Sequence, residues 1–368
     1  MQQARNSFGV AVVEGKIYVI GGEYGMDFLG SNECYDPKAD VWVALVPMPT
    51  ARAGFAVVVY EEKIYCIGGR IGANFSGVNS HYYEPPPPVK FSVNEVYDPV
   101  TDSWSTKASM PISESDLQAY VVDGKIFVID VYGNLFMYNP ADDLWTKKTS
   151  APVPSYSSSS ASSSFLGFST MVNNKIIVYH EHYLFSEFSG KFLVYDPKTN
   201  KWSDKNTPSF MPENSTSSAP FKGRGFTGVT SGVYAPQGCC VFSANLYGSV
   251  SNEVLFYDSV GDVWLFGKGM PTNRWHFGVA VVDDIFYAIG GLIDGPTGSA
   301  CAVNEQYIPI GYQSTPITPK PTETPHVKPA DSSKNFLIYL TITVLSVIVG
   351  VVVVGLFFCF RKSKRGVW

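Results

Sequence analysis

Five times in this chain a tyrosine is followed by a tryptophan seven residues later: Tyr35 and Trp42, Tyr97 and Trp104, Tyr138 and Trp145, Tyr195 and Trp202, Tyr257 and Trp264. The stretches between the pairs vary widely in length, so the constant spacing belongs to a rigid local unit that recurs. Upstream of each pair the same pattern returns: an apolar run, a short polar turn and a second apolar run. The runs are short and rich in Val, Ile, Tyr and Phe, which suits strands of a half-buried sheet. A unit of this size cannot bury its own faces and must stack on its neighbours.

The first copy reads FGVAVVEGKIYVIGG from Phe8 to Gly22, then Tyr35-Asp36-Pro37 and Trp42. The second reads FAVVVYEEKIYCIGG from Phe55 to Gly69, then Tyr97-Asp98-Pro99 and Trp104. In the third, Ile129 and Asp130 stand where the glycines were, and in the fourth Tyr179 and His180. The fifth reaches Tyr257 and Trp264, and the sixth, FGVAVVDDIFYAIGG from Phe277 to Gly291, ends at Tyr307 without a Trp. These motifs resemble the kelch repeat, in which each repeat forms one four-stranded blade of a β-propeller. The resemblance covers residues 1–311 and implies an all-β, six-bladed propeller. It makes scaffold of Gly21, Gly22, Tyr35, Trp42, Gly68, Gly69, Tyr97, Trp104, Tyr138, Trp145, Tyr195, Trp202, Tyr257, Trp264, Gly290, Gly291 and Tyr307. The physical roles agree with that. Glycines at a strand end allow positive φ, the rings offer O–H and N–H groups to neighbouring sheets, and Asp-Pro suits a tight turn.

Met1 to Arg5 occupies the register of Met48 to Arg52 and Met270 to Arg274, so the repeat is entered at its internal Met. In kelch propellers one terminus commonly completes a blade begun by the other. The expectation is a sixth blade of three strands, with Val303 to Tyr307 as an edge and the closing strand upstream of Met1. Pro316, Pro319 and Pro321 argue against a regular strand after Tyr312.

From Phe336 to Phe360 the chain runs 25 residues without a charge, long enough as a helix to cross a hydrocarbon core of about 30 Å. Arg361, Lys362, Lys364 and Arg365 follow, which holds that end in the cytoplasm and sets the other side outside. Residues 312–335 alternate Pro and Thr and read as an extended stalk with PPII character. The expected organisation is a propeller at 1–311, a stalk at 312–335, a transmembrane helix at 336–360 and a basic tail at 361–368. The localisation is a single-pass cell-membrane protein with the propeller extracellular. A cytosolic scaffold attached to a membrane is the alternative topology.

A net charge of −5, with no basic cluster before residue 361, gives no support to a phosphate-reading groove, so nucleic acid is set aside. Six cysteines lack CxxC spacing, and the adjacent Cys239 and Cys240 face opposite ways on a strand. Tyr179-His180-Glu181-His182 is similar in residue type to the copper site of galactose oxidase, a kelch-propeller enzyme. No second Tyr-His constellation accompanies it, and His276 belongs to another blade, so these histidines read as structural. No nucleophile elbow, zincin, P-loop or dinucleotide fingerprint is present. No metal, cofactor or catalytic residue is expected. A kelch-type sugar mutarotase, whose site has no local signature, stays as the enzyme alternative; it would require Arg, Asp, Glu and His to converge at the central opening.

With the strands of a blade lettered A to D, the AB and CD turns lie at one end and the BC and DA connections at the other. The AB turns are short in five copies. The long segments are the BC loop of blade two (70–93) and the DA connections 150–164 and 207–224, all on the BC/DA face, and long loops on a rigid scaffold are where binding resides. His81 to Pro88, HYYEPPPP, joins aromatic surface to a stiff run, whereas Ser155 to Ser164 is low-complexity. Arg70, His81, Tyr82, Tyr83 and Arg224 are the candidate ligand-binding residues, and Asn74 and Asn214 are candidate glycosylation sites. The chain reads as a binding or adhesion module for a protein or glycan, held to the lipid bilayer by its C-terminal helix.

Overall fold

The computed structural model describes residues 1–72, 87–152, 162–184, 187–205, 225–243, 254–259, 261, 263–293 and 298–316. The chain divides into two compact units, Met1–Ile317 and Thr318–Trp368. The second, with the stalk from residue 318, the 336–360 segment and the basic tail, lies outside the described residues, whereas stalk residues 312–316 belong to the first unit. Among the described residues no helix is long and apolar enough to cross a membrane.

The first unit is an all-β propeller of six antiparallel sheets. Blade one is made of Gly9–Val13, Lys16–Ile20, Asn32–Asp36 and Val41–Leu45. Blade two is made of Ala56–Tyr60, Lys63–Ile67, Asn94–Asp98 and Ser103–Lys107. Blades three, four and five repeat the order from Gln118–Val122, Ser162–Val172 and Gly225–Val229. Blade six has three strands, Gly278–Val282, Ile285–Ile289 and Asn304–Tyr307, so its third strand is an edge. The inner strands adjoin one another in sequence, and that of blade six returns to that of blade one, which closes the hub.

Blade four departs from the sequence reading. Ser162, Ser163 and Ser164, counted there with a low-complexity connection, pair with Leu184, Tyr183 and His182 in an extended ladder. Backbone pairing decides here, because a serine supplies the same N–H and C=O as any other residue. That ladder also puts His180 well inside the strand Lys175–Leu184, buried at 5% exposure.

The core lies between successive sheets. Tyr18, Ile20 and Cys34 of blade one pack against Ile64, Cys66 and Tyr97 of blade two, and the pattern repeats around the ring. Burial pushes the Cys66 thiol up to about 12, so it is an inert core side chain.

The seven-residue spacing has a geometric cause. Tyr97 and Trp104 sit directly opposite on neighbouring strands, with ring centroids 5.1 Å apart. The Tyr97 hydroxyl donates to Asp102 (2.7 Å), the turn residue five positions on, which adopts a left-handed φ of 46°. The same Asp102 oxygen accepts the backbone N–H of Val46 in blade one (2.9 Å), and Trp104 Nε1 donates to the Val46 carbonyl (2.9 Å). Both polar groups of one peptide residue in the preceding blade are thereby held. Asp143 and Trp145 hold Ala108 the same way (2.8 and 2.8 Å), and Asn200 and Trp202 hold Thr149 (3.3 and 2.7 Å). An Asp or Asn is needed because its side chain must accept and its backbone must turn left-handed.

Candidate functional site

The mouth of the central channel is built by one residue from each of four DA connections. Ser7, Gly54, Asp116 and His276 precede the inner strands of blades one, two, three and six, and all have left-handed φ, at 54°, 64°, 55° and 48°. Their backbones link in series: Ser7 N–H donates to the His276 carbonyl (3.1 Å), Gly54 N–H to that of Ser7 (2.9 Å) and Asp116 N–H to that of Gly54 (2.6 Å). Together with Gln118, Thr227 and Asp130 they border a cavity of about 280 Å³ whose walls include Val10, Val57, Ala119 and Val279.

Ser7 Oγ lies 3.2 Å from His276 Nδ1, 3.1 Å from Glu23 Oε1 and 2.8 Å from Asn6 Oδ1. Glu23 belongs to a small hairpin, Glu23–Tyr24 with Asp27–Phe28, that forms the BC connection of blade one. Its carboxylate receives the Arg70 guanidinium of blade two through two contacts of 3.2 Å. Arg70 also donates to the Gly72 carbonyl (2.7 Å), lies 5.9 Å from the Phe28 ring centroid, and is 4% exposed. It therefore braces two blades at the root of the blade-two insertion, where Arg70–Ile71 pairs with Val89–Lys90. The other candidate ligand residues, His81, Tyr82, Tyr83 and Arg224, and the sequons at Asn74 and Asn214, lie outside the described residues.

Asp130 occupies the first glycine position of blade three and Val131 the second, one place on from the sequence reading, because Gln118 pairs with Ile129 as Gly9 pairs with Ile20. Its carboxylate accepts the N–H groups of Tyr132 (2.9 Å) and Asn134 (2.8 Å) and the Asn134 side-chain amide (2.7 Å), closing the BC turn that diglycine shapes elsewhere. Burial pushes its carboxyl up, against the opposing pull of those donors. The BC connections of blades one to three expose apolar side chains on this face: Tyr24 (50%), Met26 (81%), Val89 (58%) and Tyr132 (58%).

One set of residues was quoted in the sequence for phase alone and proves to be structural. Arg5, Arg52 and Arg274 are fully buried, and each pairs with the glutamate two positions before the repeat Tyr: Glu33, Glu95 and Glu305. Arg52 further donates to the carbonyls of Gly68 (2.7 Å) and Cys66 (2.9 Å). The diglycines serve this passage. Gly69 has φ 101°, donates to the Glu114 carbonyl of blade three (2.8 Å), and a Cβ there would fall 2.9 Å from the Ala53 carbonyl oxygen. Blades three, four and five, which lack diglycine, carry Phe136, Leu193 and Leu255 at the Glu position. The recurrence of Met-x-x-x-Arg with Asn-Glu before the Tyr is the signal that would have found these pairs.

At the opposite end of the ring, the AB loop of blade five is long. Buried Asp284 of blade six accepts the N–H groups of Ser231 (2.5 Å), Val233 (3.1 Å), Tyr234 (2.7 Å) and Ala235 (3.0 Å) from it. Burial alone would raise this carboxyl, but those donors outweigh it and hold it below the usual range. Gln313 N–H donates to the Tyr234 carbonyl (2.7 Å), with the Tyr312 ring 6.3 Å from that of Tyr234. The described chain therefore ends on the AB/CD face, away from the channel mouth. Among the described residues no group of three or more His, Cys, Asp and Glu could hold a metal.

The Kelch motif family model matches residues 4–49 and 51–111. Kelch-like protein 35 of Mus musculus is 25% identical over 155 residues, which is 42% of this chain and 25% of that protein's length. The solved structure of YjhT superposes with a TM-score of 0.61 at 15% identity, over 84% of this chain and 96% of that one, a likeness of fold alone. Matched Kelch motifs in the first two blades, and six stacked sheets that carry the remaining copies in register, make the chain a β-propeller similar to those of the kelch-repeat family.

Proposed function

We propose that the chain is an extracellular binding or adhesion module, tethered through its Pro/Thr stalk and the apolar 336–360 segment, and that it takes a protein ligand on its BC/DA face. The observation that carries this reading is the separation of the two ends of the ring. The channel mouth, the Glu23–Phe28 hairpin and the root of the blade-two insertion share one face, and the chain leaves by the other. Exposed Tyr on the mouth's face supplies contact area at low entropic cost, and exposed Met supplies a surface that adapts to what it meets. A glycan would use the same mouth.

The test is topological first. On intact cells expressing the full chain, an antibody to the propeller should label the surface and an antibody to residues 361–368 should not. Labelling of the tail alone would overturn the reading.

A second reading, a sugar mutarotase, draws on the convergence of Asp116, Asp130 and His276 at the channel mouth. Arg70, however, is bound to Glu23. Following anomer exchange of freshly dissolved single-anomer sugars by proton NMR separates the two, because a binding module leaves the uncatalysed rate unchanged.

A further inference from the structure

Below its mouth the channel is walled by one register position of the six inner strands. Val10, Val57, Ala119, Ser169, Thr227 and Val279 stand at the same step of their ladders. The ring they form has two unlike halves. In blades six, one and two the residue is valine, and Gly278 and Gly9 make room for it, because a Cβ on either would overlap Cγ2 of Val10 or of Val57. In blades three, four and five it is an alanine and two hydroxyl residues. There the place of Gly9 and Gly278 is taken in blade three by Gln118, which lies opposite Ile129 as they lie opposite Ile20 and Ile289. Gln118 is fixed in one orientation. Its Oε1 accepts the backbone N–H of Ser169 (3.1 Å), the Ser169 hydroxyl and the Tyr120 hydroxyl (2.9 Å). A backbone N–H can only donate, so the amide oxygen must face Ser169, and the NH2 group is left to the cavity that Gln118 lines. Among the described residues no acceptor meets that NH2 group. Thr227 donates to the Ser169 carbonyl (2.9 Å), which satisfies the other main-chain group of Ser169 and uses the Thr227 proton.

We infer that the channel is a binding site for a small molecule with an apolar body and a carbonyl oxygen, the body against Val10, Val57 and Val279 and the oxygen on the Gln118 amide. The cavity of about 280 Å³ has the size for one, since an apolar cavity of about 150 Å³ already admits benzene. Water can meet the amide but gains nothing from the valines, and a hydrocarbon does the reverse. A carbonyl on an apolar body does both. This ligand is not the partner proposed for the BC/DA face, so neither reading depends on the other.

The test uses the full chain in detergent micelles and two probes of one shape, cyclohexanone and methylenecyclohexane, in which a CH2 group replaces the oxygen. Titrations followed by saturation-transfer difference NMR read both, on wild type and on Gln118→Glu in the same micelles, so that partition into detergent cancels. Glu keeps an oxygen for Ser169 and Tyr120 and exchanges the amide donor for a second acceptor, and the donors around it hold the new carboxylate ionised. Wild type should bind the ketone at least tenfold more tightly than the hydrocarbon, and Q118E should lose that preference. A ketone held no better than the hydrocarbon by wild type, or preferred as strongly by Q118E, would overturn the inference. So would a channel that takes neither probe and holds water alone. The comparison of the two probes on wild type stands whether or not Q118E folds, and circular dichroism checks that variant.

Discussion

Trp104 Nε1 donates 2.9 Å to the carbonyl of Val46, a residue 58 positions earlier in the preceding blade. Its indole is half-buried and packs at a tilt of 44° against Tyr97, so two separable contributions meet in one side chain. Trp104→Phe keeps the ring and removes the donor, at a cost of about 1 kcal/mol for one hydrogen bond. Trp104→Ala loses both and costs about 3 kcal/mol, the low end for aromatic truncation because the ring is not fully enclosed. Urea titration measures both, and equal losses for the two variants would refute the assignment of the donor.

The buried pair Arg52–Glu95 makes a second test, because single and double replacements should behave oppositely. Glu95→Leu leaves an unpaired guanidinium in the core and costs about 3–5 kcal/mol. Adding Arg52→Met to it should recover most of that loss, since Leu193 and Leu255 already occupy the Glu position in blades four and five. A double variant no more stable than the single one would show that the Arg contacts with Gly68 and Cys66 dominate.

Asp284 sets a pH dependence whose sign is fixed by its environment. Its folded-state carboxyl is held below the ordinary value, so its contribution is complete above the carboxylate range and is lost as pH falls through it. Asp284→Asn should therefore lower stability at pH 7 by about 2 kcal/mol, the scale of a hydrogen bond to a charged group. The gap to wild type should narrow on acidification, as read by melting temperature. A gap independent of pH would mean that the loop is held by shape and not by charge.

Among the described residues the third strand of blade six, Asn304–Tyr307, has no outer neighbour, and none like Val46 faces Asp40 and Trp42 of blade one. At the seam behind it, the Lys268 N–H donates straight to the Tyr307 hydroxyl, where a turn Asp would otherwise stand. A peptide carrying the outer-strand pattern of Ser103–Lys107 should pair with this edge and raise the melting temperature. Its Trp→Ser version should not. No shift with either peptide would show that the edge is sealed.

The repeat phase and the sheet-forming runs were legible because each rests on residue identity: Tyr and Trp face each other across a ladder, and no other pair would pack ring on ring and donate alike. The channel mouth was not legible. Ser7, Gly54, Asp116 and His276 share a backbone conformation and a place in the ring but no chemistry, and a left-handed φ leaves little trace in a side-chain name. Arg70 was singled out for the loop it begins, and its engagement with Glu23 depends on a neighbouring blade 47 residues away. Asp130 was noted only as a departure from glycine, although a buried carboxylate that accepts two backbone N–H groups is another way to close the same turn.

The bond from Gln313 to Tyr234 bears on how the propeller takes a pull applied at residue 313. Force entering at residue 313 meets the blade-five loop first, through that hydrogen bond, the Tyr312 ring and the packing of Gly311 on Pro236. The loop is in turn nailed to blade six by the four N–H groups on Asp284. Tension is thus shared between two blades before it reaches the edge strand Asn304–Tyr307, which would otherwise unzip from Ile285–Ile289 one hydrogen bond at a time.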